Sequence, residues 1–296
     1  RADPRARRQR QRVLLAMPAM PAMLQARHAR RLALLAALAA GCVFGYRGAV
    51  PVAGEASLAE LDTVVLELPP TELELVGSPG ASDLTWQGRF VTLGASPKDA
   101  LASAEQLELR WETYARVGRL FAVLPTELAD ISELEQLRVE SASELAHEII
   151  GAGAVVVSGI DGFLSVELSS GSVQVEGGLD EIRVDTGSGW VALHSAARVD
   201  VRSGAGAIDL ELDDPRSTFV TTAGPVDIAV ASGDDLAIDI ADAGVIVVEL
   251  DGVAHVGRGS FRRTLGSGSR PLQVRAGGGR VDLRMLEVAS DTETSP

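Results

Sequence analysis

From about Leu137 onward the apolar residues come in doublets two positions apart, and the doublets themselves come in pairs. Val166/Leu168 leads across a polar turn to Val173/Val175, Ile182/Val184 leads to Val191/Leu193, and Val199/Val201 leads to Ile208/Leu210. Ile238/Ile240 then leads to Ile246/Val248, and Leu272/Val274 leads to Val281/Leu283. One pass is weaker, with Val220 leading to Val226/Ile228, and a degenerate one around Val256 carries "GRGSFRRTLGSGS". The second residue of the leading doublet falls at 168, 184, 201, 220 and 240, in steps of 16, 17, 19 and 20. Leu137/Val139 with Val155/Val157 reads as a first unit holding a long insertion. Period two turns both members of a doublet to one face and the residue between them to the other. A unit of about 18 residues with two four-residue strands cannot bury its own apolar face. Units stacked at ~4.8 Å per layer bury one another's doublets and satisfy the backbone in ladders.

Upstream the pattern is β-like but not repetitive. "TVVLELPPTELELVG" alternates on both sides of Pro69-Pro70, as two short strands around a turn do, and "DLTWQGRFVTLG" continues in the same mode. "SPKDALASAEQLELRW" holds the one clear helix start, with Ser96 as N-cap, Pro97 first in the helix and Asp99 in its first turn. That helix is predicted near 97–106, after which "LELRW" returns to alternation. "ELADISELEQL" fits a helical turn or a loop equally. Residues 43–60, small and unpatterned, suit a tether. The predicted organisation is a basic extension with signal peptide (1–41), a flexible tether (42–61), a β-rich lead-in with the helix (62–136), the β-repeat domain (137–286) and a disordered tail (287–296).

The predicted fold is mainly β: a repeat β-solenoid of short stacked strands, with an antiparallel β-sandwich as the alternative, since short alternating strands with glycine turns also describe sandwiches. The glycines of "TGSG", "SGAG" and "AGGG" mark the corners. Units such as "VDTGSGWVAL", "VRSGAGAIDL" and "VRAGGGRVDL" resemble the repeats of bacterial "putative adhesin" domains, a β-solenoid family of envelope proteins and lipoproteins. The resemblance spans roughly residues 62–286. It implies an envelope location and adhesion, and it brings no catalytic residues.

Charge divides the chain. Residues 1–41 hold nine Arg and one Asp, leaving 18 basic and 40 acidic residues beyond them, a net of −22. So acidic a body repels polyanions, which excludes nucleic acid as a partner. The basic end has another explanation. Arg30 and Arg31 precede "LALLAALAAGC", Leu32 to Cys42. Positive residues, then an apolar run, then small residues at a processing point make a secretory signal. The run is shorter than the ~20 residues that a membrane span needs. "LAAGC" resembles the lipobox of bacterial lipoproteins, which implies acylation of Cys42, the chain's single cysteine, and attachment to a membrane. An ordinary signal peptide with an incidental Cys is the alternative. Val43 rather than Asp after Cys42 favours the outer membrane. Translation is expected to begin at Met17, Met20 or Met23.

Chemistry is sparse. His28, His147, His194 and His255 have no metal-ligand spacing, and one Cys forms no internal disulfide. The glycine turns lack the P-loop Lys, since Lys98 is the chain's only Lys. No GxSxG elbow appears. The stacking register above places Glu167, Arg183 and Asp200 outward in successive layers, an alternation of sign that is mildly favourable. It also places Asp209 and Asp227 in adjacent layers, where like charges repel; a solvated acidic face with no cofactor is expected, and calcium, which would relieve the repulsion, is the alternative. "RAGGGRVDL" resembles the calcium repeat of secreted β-rolls, except that Arg280 stands where that repeat has Gly. The expected function is a lipid-anchored, non-enzymatic envelope scaffold for adhesion or binding of a glycan or protein. A polysaccharide-acting β-helix enzyme and a structural or regulatory partner of an envelope complex are the alternatives.

Overall fold

The doublets do face inward. A computed structural model describes residues 45–286 apart from 152, 195–197, 232–234 and 251. Cys42, the signal sequence and the tail 287–296 lie outside the described residues. Among those described, 21 strands join one hydrogen-bonded sheet and there is one helix. The fold is mainly β.

The sheet is organised as two parallel ladders. The first contains, in spatial order, β6 (Val117–Val123), β2 (Thr63–Glu67), β8 (Ala146–Gly151), β10 (Phe163–Leu168), β12 (Glu181–Thr186) and β14 (Arg198–Ser203). It continues through β16 (Ser217–Thr221) and β20 (Arg270–Arg275) to the first half of β18 (Leu236–Leu250). The second runs β7 (Ser132–Ala142), β3 (Thr71–Ser78), β9 (Gly153–Ser158), β11 (Val173–Glu176), β13 (Val191–His194) and β15 (Ile208–Leu212). It ends with β17 (Val226–Val230), β21 (Arg280–Met285) and the second half of β18. Each pass of the chain adds one rung to each ladder, so neither rung is stable without its neighbours. The inward doublets form one continuous apolar cluster. Burying each Val, Leu or Ile side chain contributes about 1.5–3 kcal/mol.

The corner motif has a steric cause. A Cβ on Gly171 would lie 1.6 Å from the Gly153 carbonyl oxygen, one on Gly189 1.7 Å from Gly171 O, and one on Gly206 1.4 Å from Gly189 O. Successive layers therefore stack glycine on glycine. Thr186, Ser203 and Thr222, which open three of the corners, are buried, and two of them cap the turn: Ser203 Oγ accepts from Gly206 N at 3.0 Å, and Thr222 Oγ1 accepts from Gly224 N at 2.9 Å.

Several expectations are corrected. The leading doublet of the β10 pass is Leu164/Val166, which pairs with Ile182/Val184. Leu168 is a third inward residue at the corner, so alternation alone did not separate the two registers. Leu137/Val139 and Val155/Val157 are not two sides of one unit, because both flank Leu73/Leu75 in the second ladder. The supposed lead-in thus supplies rungs of the same stack, and the boundary at 137 dissolves. At the far end, Leu272/Val274 slots between Val220 and Ile238/Ile240, so the last strands in sequence are not the last in space.

Antiparallel strands close both ends. β4 (Asp83–Gly94) lies on β7, β1 (Tyr46–Ser57) lies on β4, and β5 (Glu108–Tyr114) lies on β6. β1 occupies most of the segment read as a tether. Its small residues admit close neighbours: Gly48 backs onto the Ala100 backbone and Gly54 onto the Trp86 ring. "ELADISELEQL" is neither helix nor loop throughout, since from Ser132 it is β7, held in register by β4. The helix α1 (Pro97–Ala104) starts as expected, with Ser96 Oγ accepting from Asp99 N at 3.1 Å, and it buries Ala100 and Ala104 against β1 and β4. At the other end β19 (Val253–Thr264) pairs antiparallel with β18. It sets Arg263 over Ile238, Phe261 over Ile240 and His255 over Val248. Arg263 Nη1 lies 3.2 Å from His255 Nε2. The degenerate unit is thus a polar lid that ends the apolar stack, as terminal repeats must.

Candidate functional site

The residues between and beside the inward doublets point to solvent, and on the first ladder they form a pattern. β12 presents Glu181, Arg183 and Asp185, and β14 presents Arg198, Asp200 and Arg202 directly opposite them, pair by pair. Within these six, every neighbour along a strand or between the two rungs has the opposite sign. Arg183 Nη2 lies 2.6 Å from Glu181 Oε1, Arg198 Nη1 3.7 Å from Glu181 Oε2, and Arg202 Nη2 3.2 Å from Asp200 Oδ2. The six charges sum to zero. On one side β10 adds Phe163, Ser165 and Glu167, and on the other β16 adds Ser217, Phe219 and Thr221. The Arg183 guanidinium sits 5.4 Å from the Phe163 ring centre, while Phe219 is 41% exposed. The face encloses an open trough of about 490 Å³, lined by these charged residues with Ser165, Ser217 and Phe219.

The expected row of Glu167, Arg183 and Asp200 is therefore shifted. Arg183 and Asp200 do share a row, but its β10 member is Ser165, and Glu167 stands opposite Asp185. The two-residue error in the β10 doublet is the cause. Sequence reading missed Glu181, Asp185, Arg198, Arg202, Phe163 and Phe219. Writing "EIRVD" above "RVDVR" is the signal that finds the charged six.

On the second ladder Asp209 and Asp227 do occupy adjacent rungs, and Asp282 follows on the next. Partial burial raises the Asp227 carboxyl above its ordinary range, Arg284 opposes the rise, and Asp209 and Asp282 add to it. Arg284 Nη1 lies 3.3 Å from Asp227 Oδ1, and Arg280 Nε 2.5 Å from Asp282 Oδ2. Arginine thus supplies positive charge where calcium was considered, Arg280 being the residue that departs from the β-roll repeat. Among the described residues no three His, Cys, Asp or Glu side chains are grouped to hold a metal ion.

The histidines do not converge. His194 lies 3.7 Å from Glu211, His255 belongs to the lid, and His147 is fully buried as an inward rung between Val64 and Leu164. Its Nε2 lies 2.9 Å from Ser141 Oγ, and burial pushes its pKa down to about 4. The glycine corners are filled by carbonyls of adjacent layers, leaving no cradle for a phosphate. Among the described residues no helix is long and apolar enough to cross a membrane.

No protein-family model matches the chain, and no curated protein is similar to it in sequence. Solved structures similar to it include the following two. A "putative cell adhesion protein" from Clostridium sporogenes ATCC 15579 is 15% identical with a TM-score of 0.35, over 80% of this chain and 100% of that one. A "putative adhesin" from Bacteroides fragilis NCTC 9343 is 12% identical with a TM-score of 0.38, over 79% and 97%. At such scores the likeness carries no argument about activity.

Proposed function

We propose that the chain is an exported, lipid-anchored scaffold of the bacterial cell envelope that binds through the outer face of its first ladder and catalyses no reaction. In this reading the stack is a β-solenoid, each pass one coil, and Cys42 is the acylated residue that holds it to the outer membrane. The observation that carries the reading is the face itself. Glu181, Arg183, Asp185, Arg198, Asp200 and Arg202 stand in fixed register around an open trough, on strands whose other side is close-packed core. A regular sheet holds such a pattern rigidly, so binding costs little ordering of the surface. Arg183 and Arg198 pair with Glu181, and Arg202 with Asp200, an arrangement suited to recognition.

Two measurements test this. Detergent-phase partitioning of the full-length chain places it with the membrane, and Cys42→Ser moves it to the aqueous phase. Cells displaying the chain attach to neighbouring cells or extracted matrix at least tenfold better than cells displaying an Arg198→Glu/Phe219→Ala variant of unchanged circular dichroism. Attachment indifferent to that double change would overturn the binding face.

A further inference from the structure

We propose that the occupant of this face is a second copy of the chain, docked about a two-fold axis that runs along the strands midway between β12 and β14. The proposal rests on the binding face assigned above and names its ligand. A two-fold axis in that direction leaves positions along the strands unchanged and exchanges the rungs on either side of the axis. Each residue of one copy then faces its own rung partner in the other, as an isologous interface requires.

The rung partners are already known. Glu181 faces Arg198 of the second copy, Arg183 faces Asp200, and Asp185 faces Arg202, and the same three contacts recur in the other sense. All six charged positions thus meet the opposite sign. Each guanidinium has five N–H donors, so Arg183 keeps its bond to Glu181 while donating to a carboxylate across the interface.

Size matches as well as charge. One rung further out, β10 faces β16 of the other copy. Phe163 then meets Ser217, and Phe219 meets Ser165. Each large ring lands on a small residue, and the trough that Ser165 and Ser217 line is the space the two rings enter. Glu167 meets Thr221, whose hydroxyl can donate to the carboxylate. Nothing in the core demands this: the apolar doublets fix only the inward positions, and the outward ones are free to be anything soluble. Twist does not spoil the fit, because a twisted sheet turned about an axis along its strands presents the same twist, and the gap stays even.

The extent sets the strength. Four rungs at ~4.8 Å, each six residues wide at ~3.3 Å, cover roughly 380 Å² per copy. That lies below the ~800 Å² per partner of standard complexes, which points to a weak, reversible pair. Copies held on membranes by lipid meet at high effective concentration, where a weak pair is still formed.

Sedimentation equilibrium of the full-length chain, carrying Cys42→Ser to keep it out of micelles, tests this. The chain is expected to dimerise in the micromolar range. Arg183→Asp and Asp200→Arg each set like charges face to face and weaken dimerisation at least tenfold. An equimolar mixture of those two variants restores it. In the mixed pair the two substituted positions face each other with opposite charges, and the unsubstituted Asp200 of the first chain meets the unsubstituted Arg183 of the second. Ser217→Tyr, which blocks the site of Phe163 without changing charge, also gives monomer. A chain monomeric throughout, single variants that dimerise normally, or a mixture that stays monomeric would each overturn the proposal. If the chain is monomeric while attachment still needs Arg198 and Phe219, the face binds a foreign glycan or protein and only the self-association falls. If it dimerises while attachment ignores those residues, the binding reading falls instead.

Discussion

The doublets of the second ladder run without interruption from Leu137/Val139 through Leu73/Leu75 to Ile246/Val248, each made of Val, Leu or Ile. Those of the first are broken three times, by Gly118, His147 and Thr218. Outside, the contrast continues: the first ladder carries the self-neutralising checkerboard, the second a run of three aspartates balanced by Arg280 and Arg284. Both ladders bury their faces in one core. The difference teaches that an uninterrupted aliphatic ladder supplies enough packing for its partner to tolerate polar rungs. It also shows that the outer face varies independently of the inner one, which is what a binding surface on a repeat requires.

The comparison breaks most sharply at the corner that joins the ladders. Gly206→Val would place its Cβ against the Gly189 carbonyl, 1.4 Å away, with no flexible atom to yield. A loss of more than about 4 kcal/mol is expected, enough to prevent folding in many domains. Gly178→Ala, where nothing lies within 4 Å of the added carbon, should shift the urea midpoint by less than about 0.5 kcal/mol equivalent. In the uninterrupted ladder Leu210→Ala removes a fully buried side chain and should cost about 2–5 kcal/mol. Equal midpoints for Gly206→Val and Gly178→Ala would refute the stacked corner.

His147 sharpens the contrast through pH. It is the only titratable group among the buried residues described, and no buried charge faces it. With its pKa at about 4 in the folded chain and ~6.5 when unfolded, the unfolded state binds more protons between those values. Stability is therefore full above pH ~6.5, falls as pH drops through that window and levels below about 4. The total is roughly 3 kcal/mol, at ~1.36 kcal/mol per pKa unit. Carboxylates titrate in the lower part of the window, so the test is the difference between wild type and His147→Leu. The variant should lose the slope between pH 5 and 6.5, and equal slopes would show that His147 is not neutral in its rung.

Much of this was legible in the chain. Doublet spacing gave the inward rungs, Ser96-Pro97 gave the helix start, and Asp209 and Asp227 proved to be rung neighbours. What stayed hidden has a physical reason. One Val/Leu doublet packs on another equally well whatever their separation in sequence, so the pattern does not say that β20 lies beside β16 or β2 beside β6. Three alternating apolar residues, Leu164, Val166 and Leu168, left two registers open, and that shift of two put Glu167 in the wrong row. His147 escaped because His147/Ile149 does not look like a doublet. The closing strand β1 escaped because small residues read as linker when their packing partners, Ala100 and Trp86, are far along the chain.

One expected effect is a gain. Thr218 is an inward rung between Val199 and Leu272, fully buried, and its hydroxyl has no hydrogen-bond partner. A buried hydroxyl left unpaired carries a desolvation cost that an apolar group of the same shape does not. Thr218→Val keeps the β-branched shape and removes that cost, so stability should rise by about 1 kcal/mol, seen as a higher urea midpoint at unchanged slope. The converse change one rung away, Val199→Thr, introduces a second orphan hydroxyl and should cost about as much. If Thr218→Val instead destabilises, the hydroxyl is held by a partner, and the first ladder tolerates polar rungs by satisfying them rather than by borrowing stability from the second.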